Sequence, residues 1–294
     1  MLRPFSRALS ALALLTACGS NGVATPPVKP GLWKVADADT TIYLFGTIHM
    51  LPPDYHWRTA AFDKALGKAD QLILEVVLDK DPAKTGAIMA KLGISPGLPP
   101  LVERVPTEKR AALEALIAQS KIPVDRINTL ETWAAATTLA ATTLRQANIS
   151  ATDGVERQLT SNFEQVGKPV SGLETTEQQL GYFDTLPEAV QRQFLVSVID
   201  STKDAEAEFR KMMIAWSSGD TQKIAATFDE ELLVSPALAD VLLKRRNASW
   251  TAWVKQRLDA PGTVFVAVGA GHLAGKDSVQ TMLAKEGVKV TRVQ

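Results

Sequence analysis

The sequence has little cysteine and no excess of charge. Its one cysteine, Cys18, lies near the start of a 294-residue chain. A single thiol excludes internal disulfides and thiolate metal ligands. The 32 Lys and Arg residues balance the 32 Asp and Glu residues, so the chain has no long-range positive field with which to gather a polyanion. We therefore expect no nucleic-acid partner.

Two common functional motifs are also missing. The sequence contains no His-Glu-x-x-His helix and no Walker loop. The first motif holds the zinc of many metalloproteases, and the second binds nucleotide phosphates. A function at these two kinds of site is therefore excluded, and the chemistry has to come from residues that are far apart in the sequence.

The N-terminus has the pattern of an export signal with a lipid anchor. Residues 1–17 carry two arginines and then a short apolar run, which is typical of a secretory signal peptide and too short to span a bilayer permanently. The segment Leu15-Thr16-Ala17-Cys18-Gly19 resembles the lipobox of bacterial lipoproteins and predicts a lipidated Cys18. An ordinary cleavage site is the alternative. Residues 18–30 would then form a flexible tether, and residues 31–294 would form one domain.

The residue after the cysteine predicts where the anchor holds the protein. Gly19, rather than Asp, follows Cys18, and this choice resembles outer-membrane sorting in Gram-negative lipoproteins. We therefore expect the protein in the bacterial cell envelope, at the periplasmic face of the outer membrane, with the lipid as its only membrane contact. The absence of any other thiol suits an oxidising compartment.

The rest of the chain alternates between strand-like and helix-like patterns. β-prone runs occupy residues 31–36, 40–45, 71–77, 169–174, 263–268 and 288–293. Helical periodicity covers residues 59–66, 106–147, 154–167, 175–258 and, with Asp277 as the cap, 277–286. This alternation predicts one α/β domain, and the length of the helical stretches predicts a large helical layer.

Two histidines stand in the same local pattern. An apolar strand runs into Gly46-Thr47-Ile48-His49, and a second one runs into Gly269-Ala270-Gly271-His272. A glycine at the end of a strand permits a positive φ or a close approach of the backbone. Ligands of open α/β sheets bind at the carboxyl ends of the strands. If the two strands are parallel neighbours, the imidazoles converge there with Glu75, which interrupts a buried apolar strand.

Two imidazoles and one carboxylate are the minimum for a divalent metal site with open positions. Without a metal, the same three groups could act as a base, its orienting partner and an electrostatic stabiliser. The structural alternatives are that each histidine caps a turn and that Glu75 and Glu174 are buried acids paired with arginine. Arg246 either pairs with a site carboxylate or a substrate oxygen, or lies on a solvated basic face.

Several segments together resemble the TraB/PrgY/GumN family. They are Tyr43-Leu44-Phe45-Gly46-Thr47-Ile48-His49, Leu74-Glu75-Val76, Gly172-Leu173-Glu174-Thr175, Ala215-Trp216 to Gly219-Asp220, Arg246-Asn247 with Trp250, and Val268-Gly269-Ala270-Gly271-His272-Leu273. The resemblance covers residue 31 to the C-terminus and is to the GumN-like bacterial lipoproteins, which are related to the animal Tiki metalloproteases. One departure is Val77, because relatives usually carry Asp or Glu shortly after the strand glutamate.

The resemblance implies a central mixed sheet wrapped by helices, similar to erythromycin esterase and the haem-binding ChaN-like proteins. It also implies metal-dependent proteolysis with Mn²⁺ or Co²⁺, or with Zn²⁺. His49 and His272 become metal ligands, and Glu75 becomes a ligand or general base. The PrgY-like branch sequesters peptide pheromones, so membership in the family does not by itself imply catalysis.

These observations predict an envelope hydrolase that acts on a peptide or other amide or ester bond at His49, Glu75 and His272. Arg246 steadies the substrate oxyanion, and Glu174 contacts the substrate. The alternatives are a metal-free, esterase-like hydrolase, a module that captures a peptide or haem-like ligand, and a scaffold for envelope or exopolysaccharide assembly. His56 lacks the strand and glycine context and is expected on the surface or in a lid.

Overall fold

The computed structural model describes residues 28–52, 54–146, 154–202, 205–232 and 235–294. The predicted signal peptide, the lipidated Cys18 and most of the predicted tether lie outside the described residues. Of the tether, only residues 28–30 are described, and they lead directly into the first strand. In the described part of the chain, no helix is both long and apolar enough to cross a bilayer.

A six-stranded mixed sheet forms the centre of the fold and confirms the α/β prediction. The strands are β1 (Leu32–Ala36), β2 (Thr40–Thr47), β3 (Gln71–Val76), β4 (Val170–Glu174), β5 (Gly262–Gly269) and β6 (Val290–Arg292). Their order across the sheet is β4-β3-β5-β2-β1-β6. The four strands β4, β3, β5 and β2 are parallel, and β1 runs antiparallel to both β2 and β6.

The parallel strands are buried because helices cover both faces of the sheet. The helices are α1 (Ala60–Lys68), α2 (Pro82–Gly93), α3 (Thr107–Ser120), α4 (Val124–Asn128), α5 (Thr132–Gln146), α6 (Val155–Gln165), α7 (Thr176–Asp184), α8 (Glu188–Ser201), α9 (Ala205–Ser217), α10 (Thr221–Leu232), α11 (Pro236–Ala239), α12 (Arg245–Leu258) and α13 (Val279–Lys285). Short 3₁₀ turns lie at Leu101–Arg104 and Ala270–Leu273, and a π-helical turn at Asp240–Lys244. The predicted Asp277 cap is wrong by one residue, since Ser278 is the N-cap of α13.

Alternate residues along each strand face opposite sides of the sheet, and this produces two apolar clusters. On β5, Phe265 and Ala267 pack with α1, α6 and α9, whereas Val264, Val266 and Val268 pack with α12 and α13. A third cluster joins α3, α5 and α8. This third cluster is the core of the predicted helical layer.

The strand order brings the predicted site residues to one edge of the sheet. β5 lies between β2 and β3, although it comes last of the three in the chain. Thr47 is in register with Gly269, and Leu74 is in register with Ala267. The carboxyl ends of these three strands therefore meet at one edge. The two strands that precede the histidines are parallel neighbours, which was the condition for the imidazoles to converge.

Candidate active site

Glu75 and the two glycine-histidine loops meet at the carboxyl edge of the sheet. The backbone N–H of Gly269 donates to Oε1 of Glu75 at 2.6 Å. Nε2 of His272 lies 3.7 Å from the same oxygen. A Cβ atom placed on Gly269 would lie 3.0 Å from this oxygen and 3.4 Å from Nε2 of His49. The three predicted residues are thus grouped around the backbone of Gly269.

Gly46 and Gly269 are needed because neighbouring atoms approach their backbone closely, and not because they adopt an unusual backbone angle. A Cβ atom on Gly46 would lie 3.1 Å from Cα of Ala270, so the two loops pack directly against each other. Neither Gly46 nor Gly269 has a positive φ. The Nε1 atom of Trp216 donates to the carbonyl of Gly46 at 2.8 Å, which holds the first loop against α9.

His272 is buried and held by two side chains from α12. Asn247 donates through Nδ2 to the carbonyl of Asp277 at 2.8 Å, so its Oδ1 faces Nδ1 of His272 at 2.6 Å. The imidazole therefore carries its proton on Nδ1, and Nε2 accepts from Nη1 of Arg246 at 3.1 Å. Burial, reinforced by the charge of Arg246, lowers the pKa of His272 to about 3.

His49 has a different environment at the end of the neighbouring strand. Its side chain is 63% exposed, and Nδ1 donates to Oε1 of Glu156 at 2.7 Å. The hydroxyl of Thr47 donates to the same carboxylate oxygen. The negative charge of Glu156, together with its hydrogen bond to the ring, raises the pKa of His49 to about 9.

Glu75 is a buried carboxylate with both oxygens engaged. Oε1 accepts from Gly269, and Oε2 accepts from Nη2 of Arg246 at 2.6 Å and from Nε2 of Gln179 at 3.2 Å. Burial works to raise the pKa of this carboxyl group. The imidazoles of His272 and His49, the guanidinium of Arg246 and the Gly269 N–H outweigh it and hold the pKa well below its usual range.

Arg246 lies in the site and not on a solvated face. Its Nε and Nη2 bind the carboxylate of Glu174, and its Nη2 also reaches Glu75. Trp250, one helical turn further on, lies against the guanidinium at 4.8 Å and donates to Glu174 at 3.1 Å. The neighbouring Arg245 is the solvated residue, with its side chain 71% exposed.

Glu174 is brought into the same network but does not face open solvent. It ends β4, is buried, and has its oxygens bound by Arg246 and Trp250. In this arrangement Glu174 orients the guanidinium of Arg246. The expected contact of Glu174 with substrate stays a prediction. His56 is exposed, in keeping with its expected place on the surface.

Two important partners, Glu156 and Asn247, were not singled out by the sequence as functional. Glu156 lies in the first turn of α6, where an acidic side chain is common for reasons of helix stability alone. Asn247 adjoins Arg246 and follows the π-helical turn, a feature frequent at functional sites but invisible in a sequence. The signal for Asn247 was its place in the Arg246-Asn247 segment that resembles the family.

A serine in a pattern typical of hydrolase nucleophiles does not form a site. Residues 93–97 have the spacing Gly-x-Ser-x-Gly, but the serine follows helix α2 and not a strand. The Ser95 hydroxyl donates to Glu131. A nucleophile elbow needs a sharp turn from strand to helix, so this serine is no candidate nucleophile.

Comparison with known proteins gives the same family as the motifs. The model of the TraB/PrgY/gumN family matches residues 31–292. The protein named "Uncharacterized protein YbaP" of Escherichia coli K12 is 30% identical over 245 residues, which are 82% of this chain and 87% of that protein. YbaP of Shigella flexneri is similar to the same extent. No solved structure matches the chain significantly, so the likeness to erythromycin esterase and ChaN stays a prediction. The chain belongs to the TraB/PrgY/gumN family.

Proposed function

We propose that the chain is a metal-dependent hydrolase of peptide or other amide or ester bonds, with His49, Glu75 and His272 as metal ligands. The orientation of the two imidazoles carries this proposal. Glu156 and Asn247 bind the Nδ1 atoms, so both Nε2 atoms are left beside the Glu75 carboxylate. Metal-binding histidines are commonly held by an acceptor on their other nitrogen in this way.

The charge of the site supports a divalent cation. Glu75, Glu156 and Glu174 belong to a network that contains one guanidinium, that of Arg246. A histidine binds metal only in its neutral form, so His49, with its raised pKa of about 9, must release its proton on binding. Two negative charges are then left uncompensated in a partly buried place, where charge is costly. A divalent cation would balance them, with Mn²⁺ or Co²⁺ preferred and Zn²⁺ next.

The guanidinium of Arg246 competes with a metal for one ligand. Its Nη1 lies 3.1 Å from Nε2 of His272, and in the described ranges no three His, Cys, Asp or Glu side chains are already spaced to hold an ion. The guanidinium is rigid and planar, so Nη1 can leave His272 only if the whole group shifts, together with its Nε and Nη2 contacts to Glu174. The three ligands therefore fit a divalent metal in chemical type, and holding one requires the guanidinium to shift away from His272.

A divalent metal at this position supplies Lewis acidity towards a carbonyl and towards water. The remaining steps belong to residues of the chain. Glu75 is ionised and accepts a proton from the attacking water, and Nη1 of Arg246 donates to the substrate oxygen as negative charge develops there. Glu174 keeps the guanidinium in place, and Glu156 keeps His49 oriented.

Metal binding is the first test. Isothermal titration of the purified full-length chain with Mn²⁺, Co²⁺ and Zn²⁺ is expected to show one site, which His49→Ala and His272→Ala each abolish. The third histidine provides a matched control, because His56→Ala removes an exposed imidazole outside the network. Unchanged binding in both site variants, with folding intact, would rule out these ligands.

A metal-free hydrolase is the second candidate, and the position of Arg246 favours it. Because Nη1 occupies Nε2 of His272, the exposed His49 is left as the base for water. Its raised pKa of about 9 confines this role to the deprotonated form at alkaline pH. Turnover of a peptide substrate that survives a chelator but is lost in Glu156→Gln would select this mechanism. Peptide binding without any turnover would select the sequestering role that the PrgY-like branch suggests.

We also propose that Cys18 anchors the protein to the envelope, at the periplasmic face of the outer membrane, where the substrate is a peptide or a small molecule. The support is the lipobox-like segment that precedes Gly19. Cys18→Ala is expected to move the protein from the membrane fraction to the soluble fraction. A variant that stays with the membranes would disprove the anchor without affecting the metal site.

A further inference from the structure

One side chain of α7 reaches the candidate active site and binds Glu75. Nε2 of Gln179, which is half-buried, lies 3.2 Å from Oε2 of Glu75. The other groups that bind this carboxylate come from β5 and α12, namely the backbone N–H of Gly269 and the guanidinium of Arg246. Gln179 is therefore a neutral donor to a buried carboxylate, and it is delivered by a helix that carries none of the predicted site residues.

The charge of Glu75 fixes which end of the Gln179 carboxamide faces it. An ionised carboxylate only accepts hydrogen bonds, and a carboxamide donates only through its nitrogen. The reverse orientation would place the carbonyl oxygen of Gln179 against a carboxylate oxygen, and the two would repel each other. Gln179 therefore donates to Oε2, and its own carbonyl oxygen is directed away from Glu75.

α7 is held in place by contacts that do not involve Glu75. At its start, Thr175 and Gln178 form a capping box, in which the side chain of each residue binds the backbone of the other. Near its end, the ring of Phe183 stacks on Trp133 of α5, with 5.8 Å between the ring centroids. The fold therefore fixes where Gln179 lies, and the hydrogen bond transmits that position to the carboxylate.

The two oxygens of Glu75 have different surroundings. Oε1 accepts from the Gly269 N–H and lies 3.7 Å from Nε2 of His272. Oε2 has two side-chain donors, Arg246 at 2.6 Å and Gln179 at 3.2 Å. A shift of the guanidinium away from His272 also moves its contact with Oε2, because the group is rigid. Of these two donors, Gln179 is the one that does not depend on the position of Arg246.

We infer that Gln179 is a positioning residue, which holds Oε2 of Glu75 so that Oε1 stays directed towards His272 when the guanidinium of Arg246 shifts. The inference rests on the proposed function, in which Glu75 and His272 bind one divalent cation. Carboxylates that bind metals are themselves hydrogen-bonded by neighbouring groups, and loss of such a partner weakens metal binding by about 10–100-fold. A neutral donor serves this purpose without adding a positive charge that would repel the cation.

The test compares two neighbouring glutamines by isothermal titration of the full-length chain with Mn²⁺. Gln179→Met keeps the length and helix propensity of the side chain and removes the donor, so Mn²⁺ is expected to bind at least about tenfold more weakly. Gln178→Met is the matched control, because it removes one side chain of the capping box and leaves Gln179 intact. It is expected to lower the stability of the protein and to leave the Mn²⁺ affinity unchanged.

Unchanged Mn²⁺ affinity in Gln179→Met, or an equal loss of affinity in Gln178→Met, would overturn the inference while the metal site stands. If the wild type binds no Mn²⁺, Co²⁺ or Zn²⁺, the metal-dependent hydrolase proposal fails, and urea unfolding tests the contact with Glu75 by itself. Gln179→Met is then expected to lower the folding equilibrium constant about fivefold in the wild-type background and to leave it unchanged in Glu75→Met. An equal effect in both backgrounds would show that Gln179 does not hold Glu75.

Discussion

The two glycine-histidine loops have the same sequence pattern and lie side by side, yet they give the histidines opposite properties. His49 is largely exposed, is bound by the carboxylate of Glu156, and has a pKa of about 9. His272 is buried, is bound by the amide of Asn247, and has a pKa of about 3. The motif fixes where each imidazole lies, and the helix packed against it fixes what the imidazole does.

The difference arises from the two faces of the sheet. α6 approaches the first loop and contributes an acidic side chain near solvent, whereas α12 approaches the second loop with an amide and a guanidinium in the core. An anion stabilises a protonated imidazole, while burial beside a cation stabilises a neutral one. A metal site built from these loops would thus join one accessible ligand to one rigid ligand.

The buried loop should depend on Arg246 more than on any other residue. Arg246→Leu leaves Glu75 and Glu174 without their cation, and an uncompensated buried charge costs about 3–5 kcal/mol. Urea unfolding should show this loss, whereas the solvated Arg245→Leu should change the free energy of unfolding by less than about 0.5 kcal/mol. Equal effects of the two substitutions would mean that the ion network of the second loop contributes nothing to stability.

The next largest effect should separate the partners of the two histidines. Asn247→Leu leaves Nδ1–H of His272 and the carbonyl of Asp277 without their partner, at a cost of about 2–3 kcal/mol. Glu156→Gln keeps a hydrogen-bond acceptor at the exposed histidine and should cost less than about 1 kcal/mol. Chemical denaturation of both variants measures the two losses in the free energy of unfolding. A larger loss in Glu156→Gln would contradict the prediction that the buried histidine depends more on its partner.

The sequence predicted the local parts of this site and missed the partners supplied by distant helices. Gly-x-x-His after an apolar run is a local pattern, so both histidine positions and the strands that carry them could be read directly. No local pattern predicts that β5 lies between β2 and β3. The sequence could therefore predict that the two imidazoles converge with Glu75 only on the condition that the strands are neighbours. Glu156 is an ordinary acidic residue of a first helical turn, because its role depends on where α6 packs.

The glycine at the end of β5 should be more sensitive than a glycine in a helix. A methyl group at Gly269 would press on Glu75 and His49, so Gly269→Ala is expected to cost about 1–2 kcal/mol and to weaken metal binding. Gly67→Ala is the control, because no atom lies within 4 Å of its added Cβ, and in helix α1 it should stabilise by about 0.5–1 kcal/mol. Thermal unfolding and metal titration together test both. Normal metal affinity in Gly269→Ala would show that the loops do not meet as closely as proposed.

The smallest effect should be the pH dependence of stability in chelator-treated protein, where the two histidines act in opposite directions. The folded pKa of His49 is about 9, above its ordinary value of 6.5, so its stabilising contribution is complete below pH 6.5 and is lost as the pH rises through 9. The folded pKa of His272 is about 3, below the same ordinary value, so its contribution is complete above pH 6.5 and is lost as the pH falls towards 3.

His49→Gln should therefore flatten the decline of the unfolding midpoint between pH 6.5 and 9. His272→Gln should flatten the rise between pH 4 and 6.5. Solvent screens the interaction of the exposed His49 with its partner, so the unfolding midpoint should change less steeply with pH between pH 6.5 and 9 than between pH 4 and 6.5. A variant that alters both pH ranges equally would show that the imidazoles titrate as one coupled pair.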